Sequence, residues 1–469
     1  MKRRHMTDSK LRCLKFAILA VLVLSAASAA RCKAPVLRVL VGDIGDTYAT
    51  VQVIPEEDAA LRVEYGVSGA RQAATSTYQA LHGEVIEMML EGLVPDEEYS
   101  YRVVCSDGGD QTYAAMEGAF HTQRRKGSSF VFTVQSDSHR DALTDDALYI
   151  NTLKNILGDR PDFHVDLGDT FMTEKFAKSE EAVRDRYLEE RSFFETIGGF
   201  VPLMLVNGNH EGENGFLINK TGENLAVWAS DARNKYFVTP SPGGIYSMSE
   251  NADKYAGLRG GHYAWEWGDA LFVVLDTFWY TVRKPGSLAD NWYYTLGKEQ
   301  YDWLVGTLLA SDAGFKFVFC HNLVGGLDKD GRGGIEAAGY FEWGGHNPDG
   351  SYGFDSKRSG WEKPIHQVLA ENGVDIFFHG HDHFFAKQEL DGVIYQLVPQ
   401  PGNPGPKDFR LPGEYGYKEG IFLPSPGYMR VSVSQDKAVI EYIVSNTGQK
   451  AGKADNGTVA YSYSISRKR

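Results

Sequence analysis

Eight side chains able to bind metal or move a proton stand just beyond apolar runs of this sequence. Asp137 and His139 follow FVFTVQ, Asp169 follows FHVDLG, and Asn209 and His210 follow VPLMLVNG. His321 follows FKFVFC, and His381 and His383 belong to HGHDH, directly behind VDIFF. Taken alone, HGHDH suits a solvated turn as well as a ligand cluster. Five apolar runs ending in metal-binding types point instead to one shared site. Imidazole nitrogens, carboxylate oxygens and an amide oxygen are the donors that divalent ions accept. Two such ions held close together need a common anionic ligand, which suits Asp169. Imidazoles, and the amide of Asn209, complete the coordination without adding charge. Two divalent ions against Asp137, Asp169 and a bridging hydroxide leave a small positive balance, which an anionic ester requires.

These residues meet only if the runs before them become neighbouring strands. From residue 130 onward apolar runs alternate with helical stretches, near Asp145–Leu157 and in SEEAVRDRYLEERSFFETI, KEQYDWLVGTLLAS and WEKPIHQVLAENG. The pattern is that of an α/β layer architecture. Carboxyl ends of strands in such a sheet face one crevice, so donors spread from position 137 to 383 can converge there. Gly380 is expected to let the backbone turn. His379 and His164 read as strand residues, and Arg140 as a solvated arginine. YMRVSVS and AVIEYIV return to strands near the end.

Ahead of residue 124, short alternating runs such as YATVQVIP and LRVEYGV, separated by turn residues, suit an antiparallel β-sandwich over 31–123. There Pro95-Asp96 turns into a strand whose Tyr99 and Tyr101 can pack at a sheet corner. RRKGSS, 124–129, reads as a linker, and 130–469 as the second domain. Residues 1–30 have the pattern of a signal peptide: basic residues, the apolar run FAILAVLVL, then SAASAA with cleavage near Ala29 or Ala30. Nine apolar residues are too few to span a bilayer. The mature chain is thus expected outside the cytoplasm, periplasmic, cell-surface or secreted, with no transmembrane anchor after cleavage.

Six basic side chains and one acid lie in residues 1–30, so the −14 of the whole chain leaves −19 for residues 31–469. Such a surface repels nucleic-acid and membrane phosphates, and no nucleic-acid polymer is expected as a partner. A small phosphorylated substrate fits if its site is locally positive. Cys13 lies in the signal, and Cys32, Cys105 and Cys320 form no framework. A Cys32–Cys105 bridge stays open, and Cys320 reads as a small buried hydrophobe.

The residues together carry two resemblances. LEGLVPDEEYSYRVVC and its flanking strands resemble the fibronectin type III-like module that precedes the catalytic domain of purple acid phosphatases. DSH, GD, GNHE, H and GHDH occur in the order and rough spacing of the calcineurin-like metallophosphoesterases, a resemblance covering roughly residues 128–445. It implies an α/β (αββα) metallophosphoesterase sandwich after the all-β one. It also implies two divalent metal ions (Fe, Mn or Zn), one held by Asp137, His139 and His383 and the other by Asn209, His321 and His381, with Asp169 between them. His210 becomes a non-ligand that stabilises the phosphoryl group or protonates the leaving oxygen. The implied reaction is in-line attack on a phosphate ester by metal-bound hydroxide, formed from water whose pKa falls to about 7. Neither a Ser nor a Cys elbow motif offers an alternative nucleophile.

One departure matters. Purple acid phosphatases carry a metal-binding tyrosine three residues after the bridging aspartate, and here Met172 stands there while His139 follows Asp137 by two. Two other readings of the chain remain: a catalytically silent extracellular binding or scaffold protein, and a metal-dependent hydrolase of a non-phosphate bond. The insertions SPGGIYSMSENADKYAGLRGGHYAW and GGLDKDGRGGIEAAGYFEWGGHNPDGSYGFDSKRSGW look like substrate-side loops. Tyr340, Trp343, His346 and Tyr352 either contact a substrate or pack the second loop on itself. Monoester against diester, and oligomeric state, are not fixed by the sequence.

Overall fold

Polar and apolar residues alternate in the first strands, and the structure, a computed structural model, buries their apolar faces between two antiparallel sheets. It describes residues 36–67, 69, 71–106, 112–405, 409–448 and 455–468. The expected leader 1–30 and Cys32 lie outside these. One sheet pairs Leu37–Gly42, Tyr48–Pro55 and Ile86–Glu91 in that order. The facing sheet runs Ala73–Ala74, Ala59–Val67, Glu98–Ser106 and Thr112–His121, with Tyr78–Ala80 also on Ala59–Val67. Tyr99 does close a corner: its ring stacks on Phe120, and its hydroxyl accepts from the Val94 N–H at 3.0 Å. Tyr101 reaches further and donates to the Gly199 carbonyl at 2.9 Å. Cys105 and Cys320 are both buried.

Residues 124–129 are held down at several points. Arg124 pairs with Asp162 at 2.7 Å, and the Gly127 N–H donates to Asp269 Oδ2 at 2.7 Å. The chain then builds two mixed sheets. The first is ordered Leu203–Leu205, Phe163–Asp166, Phe130–Gln135, Gly427–Val433, Lys437–Val444 and Val459–Ser466, its first three strands parallel. The second is ordered Ser247–Met248, Tyr263–Trp267, Ala270–Val274, Phe315–Phe319, Ile376–His379, Val393–Leu397, Phe385–Leu390 and Ile421–Leu423, with Ala270–Val274, Phe315–Phe319, Ile376–His379 and Val393–Leu397 parallel. Phenylalanines interlock the two sheets: Phe132 meets Phe272 edge-on at 5.1 Å and lies 5.4 Å from Phe317.

Helices cover both outer faces, which makes the αββα layering. Asp146–Asp159, Glu180–Phe194 and Leu225–Tyr236 pack Tyr149, Leu153, Tyr187, Phe194 and Ala229 against the first sheet. Asp145, Ser179 and Asn224 cap them by accepting from N–H groups three residues on. Lys298–Ala310 and Ile365–Glu371 cover the second sheet with Tyr301, Leu304, Leu308 and Ile365. The last helix starts later than its sequence pattern predicts, because Pro364 occupies the cap position and the chain before it is extended. Among the described residues no helix is long and apolar enough to cross a membrane.

Candidate metal centre

Five strand ends of these two sheets deliver the donors. Asp137 and His139 come off Phe130–Gln135, Asp169 off Phe163–Asp166, and Asn209 and His210 off Leu203–Leu205. His321 follows Phe315–Phe319, and His381 and His383 follow Ile376–His379. All eight are brought to one place. Asp137, His139 and His383 form one group with ligand atoms within 4.8 Å of one another, and Asp169, His321 and His381 form a second. Asp169 Oδ2 lies between them, 3.4 Å from His139 Nε2 and 3.3 Å from His321 Nε2. Asn209 Oδ1 is 3.2 Å from His321 Nε2.

Hydrogen bonds aim Asp137, Asp169, His321 and His381 by occupying the other polar atom of each side chain. Asp137 Oδ2 accepts from the Ser136 hydroxyl and the His381 N–H at 2.6 and 2.8 Å, leaving Oδ1 for the cavity. Asp169 Oδ1 accepts from the His210 N–H at 2.8 Å, which leaves Oδ2. His321 Nδ1 donates to the Leu167 carbonyl at 2.9 Å and His381 Nε2 to the Asp330 carbonyl at 2.8 Å, so the opposite nitrogens, 3.2 Å apart, present lone pairs. Asp137 Oδ1 and His139 Nε2 are buried with no hydrogen-bond partner. That is the state expected of atoms meant for a metal. Backbone conformation tells the same story. Asp137, His139, Asp169, His381 and His383 all sit at φ between 54° and 75°. Left-handed non-glycine residues cost roughly 1–3 kcal/mol each and gather at functional sites.

The electrostatics ask for cations. Burial disfavours charge on His321, yet Asp169 and Asp137 outweigh it and raise its pKa to about 10. His139 behaves alike and rises well above the usual imidazole range. Asp137 and Asp169 stay well below the carboxylate range despite burial, because the surrounding imidazoles favour their anions. His381 goes the other way, to about 3, through burial and the neighbouring His321, and so stays neutral. A cavity that draws protons onto two of its imidazoles fits divalent ions, which would replace those protons.

Close approach, not turning, explains Gly380. Its φ is not left-handed, but a Cβ there would fall 1.8 Å from Ser136 Oγ and 2.6 Å from Asp137 Oδ2. His379 stacks on Phe377 inside the sheet, and His164 faces Thr133 Oγ1 at 2.8 Å, so neither joins the donors. Arg140 is turned away, engaged by Glu189 and Glu190 at 2.9 and 3.2 Å and lying over Phe193. Trp343 is fully buried and donates to the Tyr395 hydroxyl at 2.8 Å, while His346 packs on Tyr352. Trp343 thus packs on the second sheet, Tyr340, His346 and Tyr352 on the loop itself, and none of the four lines the cleft.

Several residues of the site lack a local sequence signal. The cleft over the donors holds about 290 Å³, and Glu174, Lys284, Phe216, Phe278, Tyr294 and Arg332 contribute to its walls. Glu174 Oε2 lies 3.2 Å from His210 Nδ1, and Lys284 Nζ 3.5 Å from Glu174 Oε1. Behind the donors, Glu211 accepts from the N–H groups of Asp169, Thr170 and Gly208 at 2.9, 2.7 and 2.5 Å, tying two strand-end loops together. Glu211 had a signal, as the last letter of GNHE, and Arg332 belongs to the insertion that reads as a substrate-side loop.

Comparison with known proteins agrees with this geometry. Residues 130–385 match the calcineurin-like phosphoesterase family. No curated protein sequence matches the chain. Among solved structures, the fold is similar to purple acid phosphatase PPD1 from yellow lupin (Lupinus luteus) seeds, at 16% identity, 92% of this chain, 75% of that chain and a TM-score of 0.58. It is also similar to PhoD, at 15% identity, 92% of this chain, 90% of that one and a TM-score of 0.64. At such identities the likeness is one of fold.

Proposed function

The chain belongs to the calcineurin-like phosphoesterases, and from that premise we propose that it is an exported hydrolase of small phosphate esters working with two divalent ions. In this reading Asp137, His139 and His383 hold one ion, Asn209, His321 and His381 the other, and Asp169 is shared. The observation that supports it most is the position of Asp169 Oδ2, within 3.4 Å of an imidazole from each group. Two divalent ions supply Lewis-acid charge for the phosphoryl oxygens and lower the pKa of water at the site.

The chain's own groups do the rest. His210 presents its imidazole from the rim of the cleft, with Nδ1 toward Glu174 and Nε2 4.0 Å from Asp169 Oδ2. It donates a proton to the leaving oxygen as the new P–O bond to water forms and the ester P–O bond breaks. Glu174, braced by Lys284, fixes the ring. Phe216, Phe278 and Tyr294 offer an apolar wall to the organic part of the substrate. Export rests on the basic, apolar and small-residue succession in residues 1–30. We assign 31–123 and 130–469 as two domains of one enzyme.

The test is metal analysis joined to turnover. Purified chain should carry two divalent ions, hydrolyse p-nitrophenyl phosphate or its bis ester, lose that activity to a chelator and regain it with added metal. Metal-loaded protein that cleaves no aryl phosphomonoester or diester would overturn the proposal in favour of a scaffold.

A further inference from the structure

One wall of the cleft is a turn for which the reaction above has no use. Between Leu327 and Gly333 the chain folds back: the Leu327 N–H donates to the Arg332 carbonyl at 2.6 Å, and Asp328 Oδ1 accepts from the N–H groups of Asp330 and Arg332 at 2.9 and 3.1 Å. The turn is fastened twice to the HGHDH loop. His381 Nε2 donates to the Asp330 carbonyl at 2.8 Å. The Gly333 N–H donates to Asp382 Oδ2 at 2.9 Å, and the same oxygen accepts from the Tyr417 hydroxyl at 2.7 Å. Two bonds to the loop that carries His381 and His383 fix the height of this turn above the donors.

Arg332 reaches from it into the cleft shared with His381, His383, Asp169 and His210. Its guanidinium lies over the Tyr415 ring at 4.8 Å, and Asp328 Oδ2 and Asp330 Oδ2 stand 3.2 and 3.1 Å from the same nitrogen, Nη1. A guanidinium has five N–H donors in a planar fork. These carboxylates engage the Nη1 end and leave the Nε and Nη2 donors to other acceptors. The carboxylates therefore orient the fork without using it up, and a fork of this shape matches phosphate oxygens.

Building on the phosphoester reading above, we propose that Arg332 is a specificity-determining residue that binds a terminal phosphoryl oxygen and makes the enzyme prefer phosphomonoesters to diesters. A monoester carries about −1.5 to −2 charge at neutral pH and three terminal oxygens. A diester carries one charge and two terminal oxygens. Were two of its oxygens turned to the paired ions, a monoester would still offer a third anionic oxygen to Arg332. In a diester that position is an ester oxygen, a weak acceptor whose carbon substituent crowds the guanidinium and the nearby Tyr294.

The experiment uses the metal-loaded full chain as Arg332→Met and Arg332→Lys. Rates are read on p-nitrophenyl phosphate and bis(p-nitrophenyl) phosphate, and inorganic phosphate is titrated calorimetrically. A charged hydrogen bond lost should lower monoester kcat/KM about 10- to 100-fold and weaken inorganic phosphate by a similar factor. The monoester-to-diester ratio should fall about tenfold or more, the lysine variant should recover part of it, and metal content should stay at two ions. A ratio changed less than about threefold, an unchanged phosphate Kd, or loss of metal in both variants overturns the inference. Wild-type protein that cleaves neither ester sinks the phosphoesterase reading itself, whereas active wild type with an indifferent Arg332→Met sinks only this one.

Discussion

Two neighbouring side chains of the centre have different assigned work, and single substitutions separate them. Asp169 sends Oδ1 to the His210 N–H and Oδ2 into the gap between His139 and His321. Asp169→Asn keeps the shape but removes an anion shared by two cations, so both metals should weaken together and activity should fall by orders of magnitude. Elemental analysis showing two ions at near-normal turnover would rule out the bridge. His210→Ala should instead keep both ions and lose roughly 10²–10⁴-fold in turnover, less for a good leaving group such as nitrophenol. Metal loss in that variant would make His210 a ligand. Met172 gives a third expectation. It stands three residues beyond Asp169, fully buried and at φ 56°, where purple acid phosphatases place a tyrosine. Neutral imidazole at His139 in place of a phenolate should favour divalent over trivalent ions. A divalent ion acidifies its water less than a ferric ion does, so the protein should be pale and most active at neutral to alkaline pH. An intense visible tyrosinate band with an acidic rate optimum would contradict this.

At the scale of elements, the donors are good only because strand ends crowd together, and that crowding tolerates no added methyl. Gly380→Ala would push a Cβ into Ser136 Oγ and Asp137 Oδ2. Overpacking of this kind costs about 1–3 kcal/mol, and here it lands on Asp137. The variant should melt lower and bind less than two equivalents of metal, and a full complement of metal at unchanged melting temperature would count against the close approach. The strands that end at the candidate centre were legible because parallel strands buried on both faces read as unbroken apolar runs. FVFTVQ, FKFVFC and VDIFF are such runs, and their polar endings announced the centre. The Leu225–Tyr236 helix was less so, since LAVWASDARNKY mixes polar and apolar residues without a strong stripe. The hairpin of Phe385–Leu390 with Val393–Leu397 had a signal in Asp391-Gly392, both at positive φ. Glu174 sits on the one-turn helix Thr173–Phe176 just beyond Asp169, and Arg332 within an insertion that read as a substrate-side loop; Lys284 had no signal, because spacing along the sequence says nothing about where its loop lands.

Across the whole molecule, the β-sandwich is joined to the α/β part by a continuous interior. One apolar cluster runs from Val39 and Val51 in the sandwich through Trp265 and Phe272 to Tyr442. Leu40 and Ile54 enter the helical layer beside Phe194 and Phe237. Polar links cross the same boundary: the Val41 N–H donates to the Gly198 carbonyl at 2.7 Å, and the Tyr246 hydroxyl to the Ile44 carbonyl at 2.9 Å. At its centre is Arg191, wholly buried on the helix Glu180–Phe194 and donating to Gln52 Oε1, the Tyr236 carbonyl and the Arg38 carbonyl, with Glu195 3.3 Å from its Nε. Burial pulls its pKa down to about 9, but the acceptors around it still face a cation at neutral pH. A sandwich held this way acts as part of the enzyme's core rather than as a tethered module. Thermal unfolding of the full chain should therefore follow a single transition in circular dichroism and calorimetry. Arg191→Met strands those acceptors, while Glu195 keeps Arg38 at 2.9 Å, and a buried acceptor left unpaired costs about 1–3 kcal/mol. That variant should shift the entire transition downward, and phosphatase activity should disappear along the same curve. Two resolved transitions, with only one moved by the substitution, would show instead that the sandwich and the α/β part unfold independently.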